Sequence, residues 1–157
     1  MSKNKKQKIL ITGGSGFIGS AITKYLVSKG HMVTVFDNNS RGKLIRLSEV
    51  ISQIRFKRGD IRDFKKLRTI PGDFDTVIHL AYVNGTKFFY KKPFEILDIA
   101  VNGFLNILKF SKERKVKNFY LASSSEVYQN PLKYPTDEKE MLKIPDIHNP
   151  RYSYGGG

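Results

Sequence analysis

The sequence contains no cysteine and no long run of apolar residues. Without cysteine, a disulfide framework, a thiolate metal site and a cysteine nucleophile are excluded. The apolar runs are only a few residues long, which is too short for a helix that spans a bilayer. The basic residues at positions 1–8 precede a strand pattern instead of the apolar segment of a signal peptide. We therefore expect a cytoplasmic protein that does not bind membranes.

Acidic residues are also scarce: 14 aspartates and glutamates stand against 28 lysines and arginines, which gives a formal net charge of +14. A nucleic-acid-binding protein would place such charge on one face, with aromatic residues among the basic ones. Here basic clusters recur in nearly every predicted helix and loop, so we interpret them as solubilising and predict no nucleic-acid partner. The alternative is a basic nucleic-acid binder, and an anionic small molecule would also be attracted by this charge.

Hydrophobic patterns predict one α/β domain, because short apolar strands alternate with helical segments. Strands are predicted at residues 8–12, 32–36, 53–57, 76–80 and 118–122, and helices at 17–29, 44–51, 64–70 and from Pro93 onward. This alternation predicts parallel βαβ units and a doubly wound parallel sheet. We assign the domain to residues 9–157, after a basic tail at residues 1–8.

A glycine-rich loop, GGSGFIG at residues 13–19, connects the first predicted strand to the first predicted helix. Small residues are needed there because the backbone must turn tightly and approach a pyrophosphate, while the start of the helix offers free N–H groups and a positive dipole end. The spacing by itself is weak evidence, but its place between a strand and an amphipathic helix makes it specific. The loop therefore predicts dinucleotide binding.

An acidic residue should end the second strand, where it accepts hydrogen bonds from the adenosine ribose. Asp37 stands there, 18 positions after Gly19. Its charge would repel a 2′-phosphate, which favours NAD over NADP, although Arg41 nearby argues in the other direction. The alternative role for Asp37 is that of a turn-forming aspartate.

Five stretches resemble the motifs of one enzyme family, the extended short-chain dehydrogenases/reductases that act as NAD-dependent sugar-nucleotide epimerases, dehydratases and decarboxylases. They follow the family's order along the whole chain: residues 12–20 (TGGSGFIGS), 59–63 (GDIRD), 79–81 (HLA), 123–128 (SSSEVY) and 149–155 (NPRYSYG). The resemblance implies NAD as cofactor and a Rossmann-type doubly wound parallel sheet, truncated here after about five strands.

The resemblance also implies which residues contact the cofactor. Asp60 and Ile61 would contact the adenine, and Leu80 and Ala81 would line the nicotinamide side. The full implied set is Gly13, Gly16, Phe17, Ile18, Gly19, Asp37, Asn38, Asn39, Ser40, Asp60, Ile61, Leu80, Ala81 and Ala122. No metal site is implied.

For catalysis, the family uses a serine or threonine together with a Tyr-x-x-x-Lys pair, and the resemblance carries these roles to Ser124 and Tyr154. In the family's mechanism the tyrosine, as phenolate, takes a proton from a sugar hydroxyl while hydride leaves the same carbon for the nicotinamide. Ser124 would hydrogen-bond the reacting oxygen. A free phenol has a pKa of about 10, so a neighbouring ammonium must lower it.

Glu126 is the third catalytic candidate, at the place where family dehydratases carry a base. Ser125 stands where dehydratases of dTDP-glucose carry an acid, which disfavours that elimination, whereas decarboxylases carry the more similar Thr-Ser-Glu. The reaction class thus stays open among epimerase, dehydratase and decarboxylase. A further departure is Tyr82, where the family has alanine and where a tyrosine would crowd or reshape the pocket.

The chain ends at Gly157, one residue before the position of the family's lysine. We therefore expect the cofactor-binding part of a longer enzyme, which acts on a nucleotide sugar and forms a homodimer, while this chain alone is catalytically silent. Further segments would cover one sheet edge and the apolar stripe of the long helix, which consists of Phe94, Leu97, Val101, Phe104 or Leu105, and Leu108. We therefore also expect exposed hydrophobic surface, with self-association or marginal solubility. The alternative is a NAD-binding module without chemistry.

Overall fold

A parallel sheet of five strands carries the predicted α/β fold, in a computed structural model that describes residues 5–157. The strand order is β3-β2-β1-β4-β5, which is a doubly wound, Rossmann-type arrangement. The bounds are Lys8–Thr12 for β1, Met32–Asp37 for β2, Arg55–Arg58 for β3, Thr76–His79 for β4 and Asn118–Leu121 for β5. The fold class and all five strands were predicted from the sequence, and the structure confirms them.

Six α-helices accompany these strands in the described part of the chain. They are α1 Phe17–Ser28, α2 Phe64–Arg68, α3 Thr86–Lys91, α4 Pro93–Asp98, α5 Phe104–Glu113 and α6 Tyr152–Gly155. A π turn at Ile99–Gly103 connects α4 to α5. No helix among residues 5–157 has the length and apolar content needed to cross a membrane.

The single helix predicted over residues 44–51 is wrong. Two 3-10 turns, Leu44–Leu47 and Ile51–Gln53, take its place, and β3 starts only at Arg55. Leu47 and Val50 both belong to the core cluster, and the amide of Val50 donates to the carbonyl of Leu47 (2.9 Å), a bond between residues three apart as in 3-10 turns. The backbone bonds of this segment are therefore those of the tighter winding.

The chain divides into two units. The first contains the described residues up to Ala81 together with Asn102–Ala122, and the second contains Tyr82–Val101 and Ser123–Gly157. The boundary predicted after residue 8 between a tail and the domain stays a prediction. β1 begins at Lys8, and residues 1–4 of that tail lie outside the described residues.

The core of the first unit lies on both faces of the sheet. Ile9, Leu10 and Ile11 of β1 are all at most 2% exposed, so neither face of this central strand meets water. One face packs on a cluster that includes Val35 and Leu47. Complete burial of consecutive residues is typical of parallel sheets covered by helices on both sides.

The helices α4 and α5 carry two apolar stripes, of which only one is buried. The exposure expected for the stripe that begins at Phe94 is confirmed, because Phe94 is 81% exposed and Leu105 is 55% exposed. The buried stripe, which the sequence analysis missed, consists of Ile96, Ile99, Ala100, Gly103, Ile107 and Phe110. Both stripes step by three or four residues, so helical spacing alone does not distinguish them.

The large apolar side chains of α1 are only partly buried. Ile22 and Leu26 pack against the core cluster, whereas Ile18 and Tyr25 are 64% and 61% exposed. Residues with small side chains instead complete the buried face of this helix, namely Gly19, Ser20 and Thr23. Such residues let the helix approach the sheet closely.

Candidate functional site

The glycine-rich loop leaves the end of β1 and enters α1 as predicted. The amide of Gly13 donates to the carbonyl of Phe36 (2.9 Å), and the amide of Ser20 donates to the carbonyl of Gly16 (3.0 Å) as the first bond of the helix. The amides of the three residues before Ser20 therefore have no acceptor within the helix. No acidic residue lies in the first turn and no side chain caps it. This helix end is chemically suited to an anion such as a pyrophosphate.

Gly13 is one of the positions in the loop where only glycine fits. Its φ of +74° lies in the left-handed region, and a Cβ there would come within 2.8 Å of the backbone of Leu80 and Ala81. The loop thus packs directly on the residues that follow β4. Two predicted parts of the cofactor site, the loop and the Leu80–Ala81 pair, are in this way adjacent.

Asp37 is the last residue of β2 and is only 8% exposed. Its Oδ2 accepts from the amide of Ser15 in the glycine-rich loop (2.9 Å), and its Oδ1 accepts from the amide of Asn39 (2.8 Å). The bond from Asn39 is that of a turn-forming aspartate, the alternative role given above for Asp37. Asp37 therefore both forms a turn and binds the glycine-rich loop. Each oxygen keeps a lone pair, as ribose recognition requires.

The other predicted residues near the adenine form a second hydrogen-bonded group. The Asp60 carboxylate accepts from Nε and Nη2 of Arg62 (3.0 and 2.8 Å) and from Nδ2 of Asn38 (3.2 Å). The Arg62 guanidinium, as the largest influence, holds the pKa of Asp60 below its usual value. Ile61 beside it is 5% exposed. Ser40 donates its amide to Oδ1 of Asn38 (2.9 Å).

The remaining predicted cofactor residues follow β4 and β5. Leu80 and Ala81 come directly after His79, and Ala122 donates its amide to the carbonyl of His79 (3.2 Å). All fourteen predicted cofactor residues thus belong to the first unit and stand at or just beyond the carboxyl ends of its five strands. Ligands of open parallel sheets bind at this edge.

His79 is a buried residue of this edge that the sequence analysis used only as part of a motif. It is 5% exposed, and its Nδ1 shares a 2.6 Å hydrogen bond with Oγ1 of Thr12. The rings of Phe104 and Phe119 lie 6.0 and 6.4 Å from it. Burial lowers the pKa of His79 to about 4, so the imidazole is neutral at physiological pH.

The three predicted catalytic residues all belong to the second unit. Ser124 caps a 3-10 turn, Ser125–Val127, through a bond from the amide of Glu126 to its Oγ (3.2 Å). The carboxylate of Glu126 pairs with Nη2 of Arg151 at 3.3 Å. Arg151 directly precedes α6, which carries Tyr154, so this ion pair connects the turn to the start of that helix.

Tyr154 lies among aromatic side chains. Its ring stacks on Phe89 at 4.8 Å and meets Tyr82 at 4.9 Å. The Tyr82 hydroxyl donates to the carbonyl of Tyr154 (3.2 Å). Burial, with a smaller influence from Tyr154, raises the pKa of Tyr82 to about 12. The unusual tyrosine at position 82 therefore contacts the predicted catalytic tyrosine and is protonated.

Ser15, Arg62 and Arg151 each bind a predicted site residue but were not themselves predicted from the sequence. Arg62 could have been found, because it follows Asp60 by two residues in a turn. Ser15 and Asp37 are 22 residues apart, and Arg151 and Glu126 are 25 apart. No local pattern predicts such pairs.

Comparisons with known proteins agree with this arrangement. Residues 9–156 match the model of the NAD dependent epimerase/dehydratase family. The chain is 37% identical to a UDP-N-acetyl-alpha-D-glucosaminuronate decarboxylase of Bacillus cytotoxicus, over 78% of this chain and 38% of that protein. It is 35% identical to a UDP-glucose 4-epimerase of Klebsiella pneumoniae, over 82% of this chain and 96% of that protein.

Among solved structures, the UDP-glucose 4-epimerase of Bifidobacterium longum, in complex with NAD+ and UDP, superposes with a TM-score of 0.83 at 29% identity. The match covers 95% of this chain and 45% of that one. Several relatives are thus more than twice as long as this chain. The Klebsiella relative is instead covered almost completely.

Proposed function

Because this chain belongs to the NAD-dependent epimerase/dehydratase family, we propose that it is the NAD-binding part of an enzyme that modifies a nucleotide sugar. The observation that carries this proposal is the 2.9 Å bond between the Ser15 amide and the Asp37 carboxylate. It holds a helix end suited to a pyrophosphate next to a carboxylate suited to ribose hydroxyls. The predicted residues Gly13, Gly16, Phe17, Ile18 and Gly19 would surround the pyrophosphate.

Replacing Asp37 by alanine is expected to weaken NAD binding by about 1–3 kcal/mol, because ribose hydroxyls would lose their acceptor. NADP binding should weaken less, since the same change removes a charge that repels the 2′-phosphate. Isothermal titration with both dinucleotides measures the two effects. A larger loss of NAD affinity than of NADP affinity indicates recognition of the ribose by Asp37, whereas general damage to the fold would weaken both equally.

The matched control is Asp73→Ala, which removes the same charge from an exposed position before β4. It should leave both affinities unchanged, because Asp73 lies on the amino side of that strand and the cofactor residues lie on its carboxyl side. Equal NAD affinities for the wild-type chain and Asp37→Ala would contradict the assignment of Asp37. No measurable NAD binding by the wild type would contradict the proposed function itself.

The proposed chemistry rests on the three residues of the second unit. NAD, when bound, supplies a hydride acceptor. Tyr154 would take the proton of the sugar hydroxyl that is oxidised, and Ser124 would hydrogen-bond the same oxygen. Glu126, paired with Arg151, would act as a base where the reaction needs one beyond oxidation. The relatives include both epimerases and a decarboxylase, and either reaction fits these residues.

The 157-residue chain is expected to be silent when it is tested alone. A polypeptide of residues 1–157 covers only 38% of the Bacillus decarboxylase and 45% of the Bifidobacterium epimerase, and a phenol needs a neighbouring ammonium for its pKa to fall. Incubation with NAD and UDP-glucose should give neither reduced nicotinamide nor an epimerised sugar. The NAD titration shows that the sample is folded. Turnover at the rate of a complete epimerase would contradict this expectation.

We further propose a cytoplasmic location and self-association, with a homodimer for the complete enzyme. Leu105 and Leu108 on α5 are 55% and 38% exposed, and Tyr120 and Leu121 on the edge strand β5 are 60% and 54% exposed. Apolar surface of this kind is rarely left in water.

Sedimentation velocity should therefore show an average mass that rises with concentration. Leu105→Lys should shift the equilibrium toward the monomer, because it places a charge on this surface. Lys112→Gln, which changes an exposed polar residue of the same helix, should not. A wild-type chain that stays monomeric at high concentration would contradict the proposal.

A further inference from the structure

Ser15 is the residue through which the glycine-rich loop holds the segment that follows β2. It is completely buried. Its amide donates to Asp37 (2.9 Å) and its Oγ donates to Oδ1 of Asn39 (2.8 Å). Its carbonyl accepts from the amide of Lys43 (3.1 Å) and from Nη1 of Arg46 (3.4 Å). The donor and acceptor groups of this one serine thus bind four different residues between positions 37 and 46.

Gly42 completes this arrangement by its lack of a side chain. A Cβ at Gly42 would lie 1.9 Å from Oγ of Ser15, 3.0 Å from its Cβ and 3.1 Å from Oδ1 of Asp37. The backbone at Gly42 lies outside the left-handed region, so contact and not conformation excludes alanine here. The segment after β2 can therefore close on Ser15 only with glycine at this position.

We propose that Ser15 and Gly42 are positioning residues that set the recognition of the adenosine ribose, by fixing Asp37 relative to the start of α1. The inference rests on the proposed binding of NAD. It states which feature of the ligand these residues select, namely an adenosine ribose with a free 2′-hydroxyl. Asp37 can accept from ribose hydroxyls only if its carboxylate keeps a fixed distance from the helix end that binds the pyrophosphate. Two oxygens held by the amides of Ser15 and Asn39 provide that fixation.

Gly42→Ala tests the proposal, because the new methyl group must displace either Ser15 or Asp37. The NAD dissociation constant is expected to rise roughly tenfold or more, since bonds to a charged group are lost. The NADP constant should rise less, so that the preference for NAD falls. Isothermal titration with NAD, NADP and ADP measures this, and ADP, which lacks the nicotinamide but keeps the ribose and pyrophosphate, should follow NAD.

The double variant Ser15→Gly/Gly42→Ala provides the decisive comparison. Removing the Ser15 side chain deletes the two closest contacts of the new methyl group, which leaves only the 3.1 Å approach to Asp37. Its NAD affinity should therefore lie within about threefold of that of Ser15→Gly alone, although Gly42→Ala alone is strongly impaired. Additive losses in the double variant would overturn the proposal.

Gly30→Ala is the matched control for a destabilising glycine substitution. Gly30 has a φ of +81° and no atom within 4 Å of a Cβ, so alanine there should lower the melting temperature without changing either dissociation constant. If Gly42→Ala does not fold, Ser15→Ala decides by its effect on the preference for NAD over NADP. This variant adds no atom and removes the bond from Oγ of Ser15 to Asn39, the residue whose amide holds Oδ1 of Asp37. If the wild type binds NAD and Ser15→Ala keeps the same preference for NAD over NADP, the inference is wrong and the proposed function stands. If the wild type binds no NAD, the inference and the proposed function are both wrong.

Discussion

The free energy of unfolding is expected to fall by about 3 kcal/mol between pH 6.5 and pH 4 because of His79 alone. Burial lowers the pKa of this imidazole to about 4 in the folded chain, whereas the unfolded chain keeps the ordinary value of 6.5. Between these values the unfolded state binds the extra proton, so stability is complete above pH 6.5 and is lost as the pH falls. Urea unfolding at a series of pH values measures the slope.

His79→Asn tests whether His79 causes this pH dependence of the unfolding free energy. The asparagine side chain has a polar atom close to the place of Nδ1, which bonds Thr12 in the wild type, but asparagine does not titrate. This variant should lose less stability on acidification than the wild type does. His148→Asn, at an exposed position, should keep the wild-type slope and thereby controls for the loss of any histidine. Identical slopes for the wild type and His79→Asn would show that His79 carries no such effect.

Phe110→Ala is expected to cost about 3–5 kcal/mol of unfolding free energy, since Phe110 is completely buried and the cavity left by its ring would collapse only in part. The ring packs against Phe74 at 6.1 Å, and the guanidinium of Arg114 lies 5.4 Å from its centre. Guanidinium unfolding monitored by circular dichroism gives the value.

Leu105→Ala in the same helix is the matched control, because Leu105 is 55% exposed and belongs to the other apolar stripe. Its cost should stay within about 0.5 kcal/mol. The pair tests which stripe of α5 faces the core. Equal costs for the two substitutions, or a larger cost for Leu105→Ala, would mean that the helix is rotated from the position described here.

The five strands and the glycine-rich loop were predictable because their signals are local. A run such as residues 8–12, with a glycine-rich turn after it, needs no information from distant residues. The predicted helix at 44–51 failed because its apolar spacing fits an α-helix and a 3-10 turn equally well, whereas its backbone bonds join residues three apart, as between Val50 and Leu47. The helix α3 was not predicted from the sequence.

By itself, the sequence determined that strands and helices alternate, and therefore that the residues after β1 to β5 meet at one edge of a parallel sheet. Tertiary structure alone decided which apolar stripe of α5 is buried, because two stripes with the same periodicity compete and only packing against the core distinguishes them. It also decided the partners of Ser15, Asp37 and His79. The parallel register places Thr12 of β1 beside His79 of β4, 67 residues away, and such contacts depend on strand alignment and not on spacing along the chain.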